Sequence, residues 1–322
     1  MLIDRRLVGF GLFLITLGGV MVAVRQGLLG EGVARQAWTL WPVILIGAGL
    51  SIVLAGRPGA SIGGLVLAVT FGAILGGVAA TGVFPGAGVC SDRGRRAAFP
   101  DAGGDLGPSA RVSIAQDCGD LAVGTVSGST WSISGESRDG RSPTIDRTTN
   151  LLDVTTPDGG PLDLGGGSAW NVVLPRDAEL TLQVNVNGGQ SRLALDGAHL
   201  RSLSIDANAG SIDLDLREAA TVGDTAIDVN FGSATIRLPS TGMAGSLSVN
   251  AGSAALCLPA GAGIRVRFES VAASNDFAAH GLVETNGVWE TPGFATATVR
   301  IDLRADGNAG SLSLDPARTC AG

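Results

Sequence analysis

Lysine and tyrosine are absent from this 322-residue chain, histidine occurs twice, and aromatic residues make up only 4% of it. All 22 bases are therefore arginines, and against 29 acids they leave a net charge of −7. That balance excludes a basic nucleic-acid binder. His280 sits beside a glycine and His199 two residues after one, and both read as loop residues. Neither has a histidine or cysteine two to four residues on, and Glu284 alone beside His280 makes no ligand set, so no metal site is assigned. The G-x-S-x-G elbow of a serine hydrolase is missing as well. A carbohydrate-cleaving domain would want clustered acids beside aromatic platforms, and of the five tryptophans only Trp131, Trp170 and Trp289 lie beyond the first quarter of the chain. No catalytic, cofactor-binding or metal-ligating residue is assigned, and the chain reads as no enzyme.

Apolar residues reach 45% and charged ones only 16%, with a mean hydropathy of +0.34. This excludes intrinsic disorder, and 50 glycines without a three-residue period exclude collagen. The values are high for a soluble protein and low for one embedded throughout, so a mixed architecture is expected. Of the acids and bases, two and five lie before residue 90, leaving 27 acids against 17 bases beyond it. An acidic domain of that kind is repelled by anionic lipid, which suggests a domain held to a membrane by a separate tether.

Three apolar stretches supply the tether, at about 7–24, 38–55 and 62–83 within a membrane region 1–84. Each is close to the roughly 20 residues that cross a hydrocarbon core. Trp38 and Trp41 open the second, where indoles favour the headgroup region. No ionisable residue interrupts any span, which argues against a proton relay or an ion path. Gly72 and Gly76 are spaced G-x-x-x-G, which lets helices approach closely, within the bundle or between copies of a homo-oligomer. The runs from Arg5-Arg6-Leu7-Val8-Gly9 and from Leu40-Trp41-Pro42 into a glycine-interrupted span resemble the LiaI/LiaF-type transmembrane region of bacterial envelope proteins.

A linker rich in Gly, Pro and Ala is expected over 85–110, and a repeat-containing β domain over 111–322. There the period changes to strict alternation, as in Thr181-Leu-Gln-Val-Asn-Val and Ser246-Leu-Ser-Val, the mark of half-buried strands. Asn187, Asn208, Asn230, Asn250 and Asn308 each open an N-x-G-[SQ] motif, the first four at intervals of 20–22 residues. Aligned on the asparagine, Val184, Ile205, Ile227 and Leu247 form one apolar column, and Leu193, Leu214, Ile236 and Leu256 another. Asp206, Asp228 and Ser248 fall between such columns. One repeat holds two short strands and cannot bury its own apolar face, whereas stacked repeats can. The fold class is thus a three-span helical bundle followed by an all-β domain, a β-solenoid or stacked-rung array. Asparagine and glycine suit the corners, and the asparagine column reads as a structural ladder. Between Asn250 and Asn308 the period breaks, which suggests an inserted hairpin or a longer rung.

An acidic domain of such rungs behind LiaF-like spans is similar to the toastrack domains of the LiaF and PspC families. That resemblance implies a non-catalytic sensor or scaffold in the response to cell-envelope stress, at the bacterial plasma membrane. Its partners would be the lipid bilayer and either a membrane-bound signalling protein or a cell-wall component, with no nucleic acid and no cofactor. The alternative is a surface adhesin or structural module whose spans only anchor it. An uncapped last rung would offer a docking edge.

Asp206, Asp213, Asp215 and Asp228 suggest an acidic strip on one outer face, more a solubilising surface than a calcium site. Cys90, Cys118, Cys257 and Cys320 all lie outside the spans and allow three disulfide pairings. Alternation turns Cys257 outward, within reach of the tail at Cys320, which leaves Cys90 for Cys118. Paired cysteines and the basic start of the first span place the β domain outside the cytoplasm. The arginines oppose this: Arg5, Arg6 and Arg57 would be inside, against Arg25, Arg35, Arg93, Arg95 and Arg96 outside.

Overall fold

Alternation decides what the second part becomes. The computed structural model describes residues 96–138, 140–157 and 167–315, with Thr16 and Cys320. Apart from Thr16 the three expected spans lie outside the described residues, as does Cys90. All described strands belong to the second of the chain's two units, Val89–Gly322.

In chain order they are β1 (Arg96–Ala98), β2 (Ala102–Asp105), β3 (Ser109–Gln116), β4 (Gly119–Val126), β5 (Thr130–Arg138), β6 (Thr144–Thr148), β7 (Leu151–Thr155) and β8 (Ser168–Pro175). Then come β9 (Glu179–Val186), β10 (Gly189–Ala194), β11 (His199–Asp215), β12 (Thr221–Arg237) and β13 (Met243–Cys257). The last are β14 (Gly263–Ser270), β15 (Ser274–Asn275), β16 (Val283–Thr285), β17 (Val288–Glu290), β18 (Arg300–Gly307) and β19 (Ser311–Leu314). β1 and β2 arise within the stretch read as linker and pair antiparallel with β5. Small residues permit this, since a Cβ on Gly103 would come within 2.8 Å of the Trp131 carbonyl oxygen.

Each rung contributes one strand to each of two parallel ladders. The first ladder runs β7-β3-β9-β11-β12-β13-β18-β14. The second runs β8-β4-β10-β11-β12-β13-β19-β15. β11, β12 and β13 are long enough to bend through both. Their inward residues close on one core, in which Val184, Ile205, Leu193 and Leu214 are fully buried. Burying such a side chain is worth about 1.5–3 kcal/mol, which no single rung could secure alone.

The bend falls at the N-x-G motifs. Gly210 and Gly232 have φ of 129° and 147°, and a Cβ on Gly232 would lie 1.9 Å from the Gly210 carbonyl oxygen. Only glycine allows successive corners to stack so closely.

Spatial order departs from chain order at both ends. β3–β4 lies inside β7–β8, and β18–β19 is inserted between β13 and β14–β15. Among the described residues three of the four ladder ends carry a further strand, while β15 at the far end of the second ladder pairs only with β19. β6 closes the first ladder antiparallel on β7, and β5 closes the second on β8. At the far end the hairpin β16–β17 lies antiparallel on β14. The last rung in the chain is therefore an interior one, and the expected uncapped docking edge is not found there. The hairpin fills the stretch where the repeat period breaks.

Candidate functional site

The five motif asparagines line up along the corner. Asn308 donates from Nδ2 to Asn250 Oδ1 (2.5 Å), Asn250 to Asn230 (2.6 Å), Asn230 to Asn208 (2.8 Å) and Asn208 to Asn187 (2.7 Å). Asn187 completes the file by donating to Asp117 Oδ1 at 2.8 Å. Asp117 is a sixth member that the motif does not reveal, because its rung has aspartate where the others have asparagine. The file satisfies itself internally, so its amides hold rungs in register.

Beside it the second ladder's outer face forms a groove of about 700 Å³. Alternation turns two polar columns into it. One is Asp120, Gln190, Ser211 and Ser233 in register, the serines being the last residues of their N-x-G-S motifs; the other is Asn171, Ala122, Arg192, Asp213 and Thr235. Glu136 reaches it from β5, where it pairs with Ala169. Trp170 borders the groove but belongs to the inward column with Leu121 and is only 2% exposed. Asp213 is held by Arg237 and lies 3.8 Å from Arg192, while Asp120 lies 3.8 Å from Arg96.

Residues 108–238 match the N-terminal domain of toast_rack, DUF2154, and residues 8–53 match the LiaI-LiaF-like transmembrane region. The chain joins a LiaI-LiaF-like membrane region to a toastrack domain. It associates with the lipid bilayer through that region and is a non-catalytic protein of the sensor or scaffold type. No curated protein matches it in sequence. Two solved structures are similar at low identity. A candidate cell-adhesion protein from Clostridium sporogenes is 12% identical, with a TM-score of 0.42 over 67% of this chain and 98% of that one. A candidate adhesin from Bacteroides fragilis is 7% identical, with a TM-score of 0.32 over 69% and 98%. Likeness at that level says nothing of function.

Within the toastrack domain the four aspartates do not share one face. Asp206 pairs with Asp228 on the first ladder, whereas Asp213 and Asp215 lie on the second. Asp206 and Asp228 are register partners on neighbouring strands, whereas the corner between 206 and 213 carries Asp213 and Asp215 onto the other ladder, so the expected single strip becomes two patches. Burial, with the Asp228 charge adding to it, raises the Asp206 carboxyl above the usual range. Asp215 is lowered, chiefly by its hydrogen bonds from the Arg217 guanidinium, at 2.7 Å for the shortest. Glu179 is lowered in the same way by Arg201.

His199 opens β11 rather than lying in a loop, because Leu200 continues the inward column. His280 ends a short 3-10 helix, 3.6 Å from Asp276. Among the described residues no group of three or more acids, histidines or cysteines is placed to hold a metal ion. Cys257 is bonded to Cys320, with Cα atoms 5.4 Å apart. Cys118 is disulfide-bonded as well, and the expected pairing with Cys90 falls outside the described residues. The groove was missed in the sequence. The serine of N-x-G-S was its one signal, and it speaks only once neighbouring rungs are known.

Proposed function

We propose that the protein is a multi-pass sensor or scaffold of the bacterial plasma membrane. Three spans at 7–24, 38–55 and 62–83 anchor it, and a segment over 85–110 joins them to a β-solenoid over 111–322. The solenoid lies outside the cytoplasm and binds a partner or envelope component, and the membrane bundle passes the state of the envelope to a stress response. The observation that carries this reading is the order of the two family matches, a membrane region at 8–53 ahead of a toastrack domain from 108 on. The disulfide from β13 to Cys320 supports an oxidising compartment.

Sidedness and signalling are tested separately. Val271 is 86% exposed, so Val271→Cys offers a thiol for a membrane-impermeant maleimide on intact cells. Labelling before lysis is expected, and labelling only after lysis would place the domain in the cytoplasm, as the arginine count favours. Deleting the gene should change transcription under cell-wall antibiotics. An unchanged transcript profile would leave a surface adhesin or structural module instead.

A further inference from the structure

Resting on the sensor reading, the groove narrows what the envelope component is. It crosses β5, β8, β4, β10, β11 and β12. At the roughly 4.8 Å spacing of strands that is a length of about 24 Å. Its volume of about 700 Å³ over such a length leaves a section of roughly 30 Å². One extended chain fits within that section.

The lining excludes most chains. The exposed large apolar residues among those described, Val126, Phe231, Val271 and Val283, do not line it; its apolar surface comes from Ala122, Ala169 and the edges of Leu121, Trp170 and Ile212, a floor for the apolar face of a ligand rather than a channel for an acyl tail. Asp120 and Asp213 are matched by Arg96, Arg192 and Arg237, and with Glu136 beside them the groove has no excess of positive charge for a phosphate backbone. An extended peptide gains most of its affinity by adding to a sheet edge. Here every strand crossed is already paired on both sides, β5 by β8 and by β1 and β2, and β12 by β11 and β13. What remains is hydrogen bonding through side chains. Glu136, Asn171, Gln190, Ser211, Ser233 and Thr235 line the groove with no side-chain partner among the described residues.

We propose that the groove binds an uncharged glycan strand lying along the stack axis. Such a chain is dense in hydroxyl and amide groups, and Asn171 and Gln190 can each both donate to them and accept from them. An extended glycan advances by about one strand spacing per sugar, so about five sugars fill the groove. With no aromatic ring to stack on, each sugar binds weakly and length supplies the affinity.

The test titrates the full chain, in a detergent without a sugar headgroup, with β-1,4-linked N-acetylglucosamine oligomers of increasing length. Affinity is expected to rise at least 100-fold from dimer to pentamer and then level off. Asn171→Ala with Gln190→Ala should weaken pentamer binding at least tenfold. Ser204→Ala with Ser246→Ala, on the outer face of the other ladder, should leave it within twofold. Absence of binding at millimolar pentamer by folded protein, affinity indifferent to length, or groove variants that bind as the parent does would each overturn the proposal. So would binding of an uncharged Gly/Ser/Asn peptide in place of the glycan. If glycan binding fails while deletion still alters the stress transcripts, the sensor reading stands with another partner. If the pentamer binds and the transcripts do not change, the sensor reading alone is lost.

Discussion

At the scale of single residues, the corner carries the sharpest constraints. Gly232 combines a φ of 147° with a backbone oxygen 1.9 Å from where a Cβ would sit. Gly232→Ala should therefore cost about 3 kcal/mol or more. Gly261 has a φ of 74° and open space around it, so Gly261→Ala should cost only about 1–2 kcal/mol. Denaturant midpoints at unchanged slope would separate the two. Asn230 both donates to Asn208 and accepts from Asn250. Asn230→Leu breaks the file in its middle and should cost about 1–2 kcal/mol by the same measurement. The Asp206 carboxyl, raised by burial and by Asp228, binds its proton more tightly folded than unfolded. Its stabilising contribution is thus present in acid and lost as pH rises through the folded value. Asp206→Asn should raise the melting temperature at pH 7 and give no such gain below about pH 4. Asp215 runs the other way: lowered by Arg217, it contributes above the ordinary aspartate range and loses that contribution as pH falls through its folded value.

Elements divide into those the sequence announces and those it hides. β9 to β13 are legible because each repeat carries the same columns, with Val184, Ile205, Ile227 and Leu247 side by side as the alignment on asparagine requires. β7 and β14 are hidden. Leu152 and Val154, or Ile264 and Val266, alternate correctly, but alternation says which face is buried and not which strand lies alongside. The groove is hidden for the same reason, since half of its strands come from rungs outside the regular repeat. Cys257 stands in the outward column of β13, opposite Arg237, as alternation places it. Its bond to Cys320 closes a loop across 63 residues. Replacing both cysteines by serine should cost about 2–4 kcal/mol, read from thermal melts against the oxidised parent.

Over the whole molecule the exchange of rung order matters most. An ordinary stack frays from its last repeat. Here the last repeat in the chain is β18–β19, which is paired on both sides, to β13 and to β14–β15. Amide hydrogen exchange at Leu303 and Ala305 should accordingly be as slow as at Ile227 and Val229 in the middle of the stack, with the hairpin β16–β17 exchanging first. Fast exchange at Leu303 would mean that the inserted rung opens on its own. The file of asparagines adds a direction to this architecture. Every amide hydrogen in it points the same way, from Asn308 toward Asp117. Small dipoles aligned head to tail sum as they do along a helix, and the carboxylate of Asp117 stands at the positive pole, as an acidic residue does at a helix N-terminus. The corner is thus a line of electrical polarity along the stack, which gives the domain unlike ends even where its apolar columns repeat.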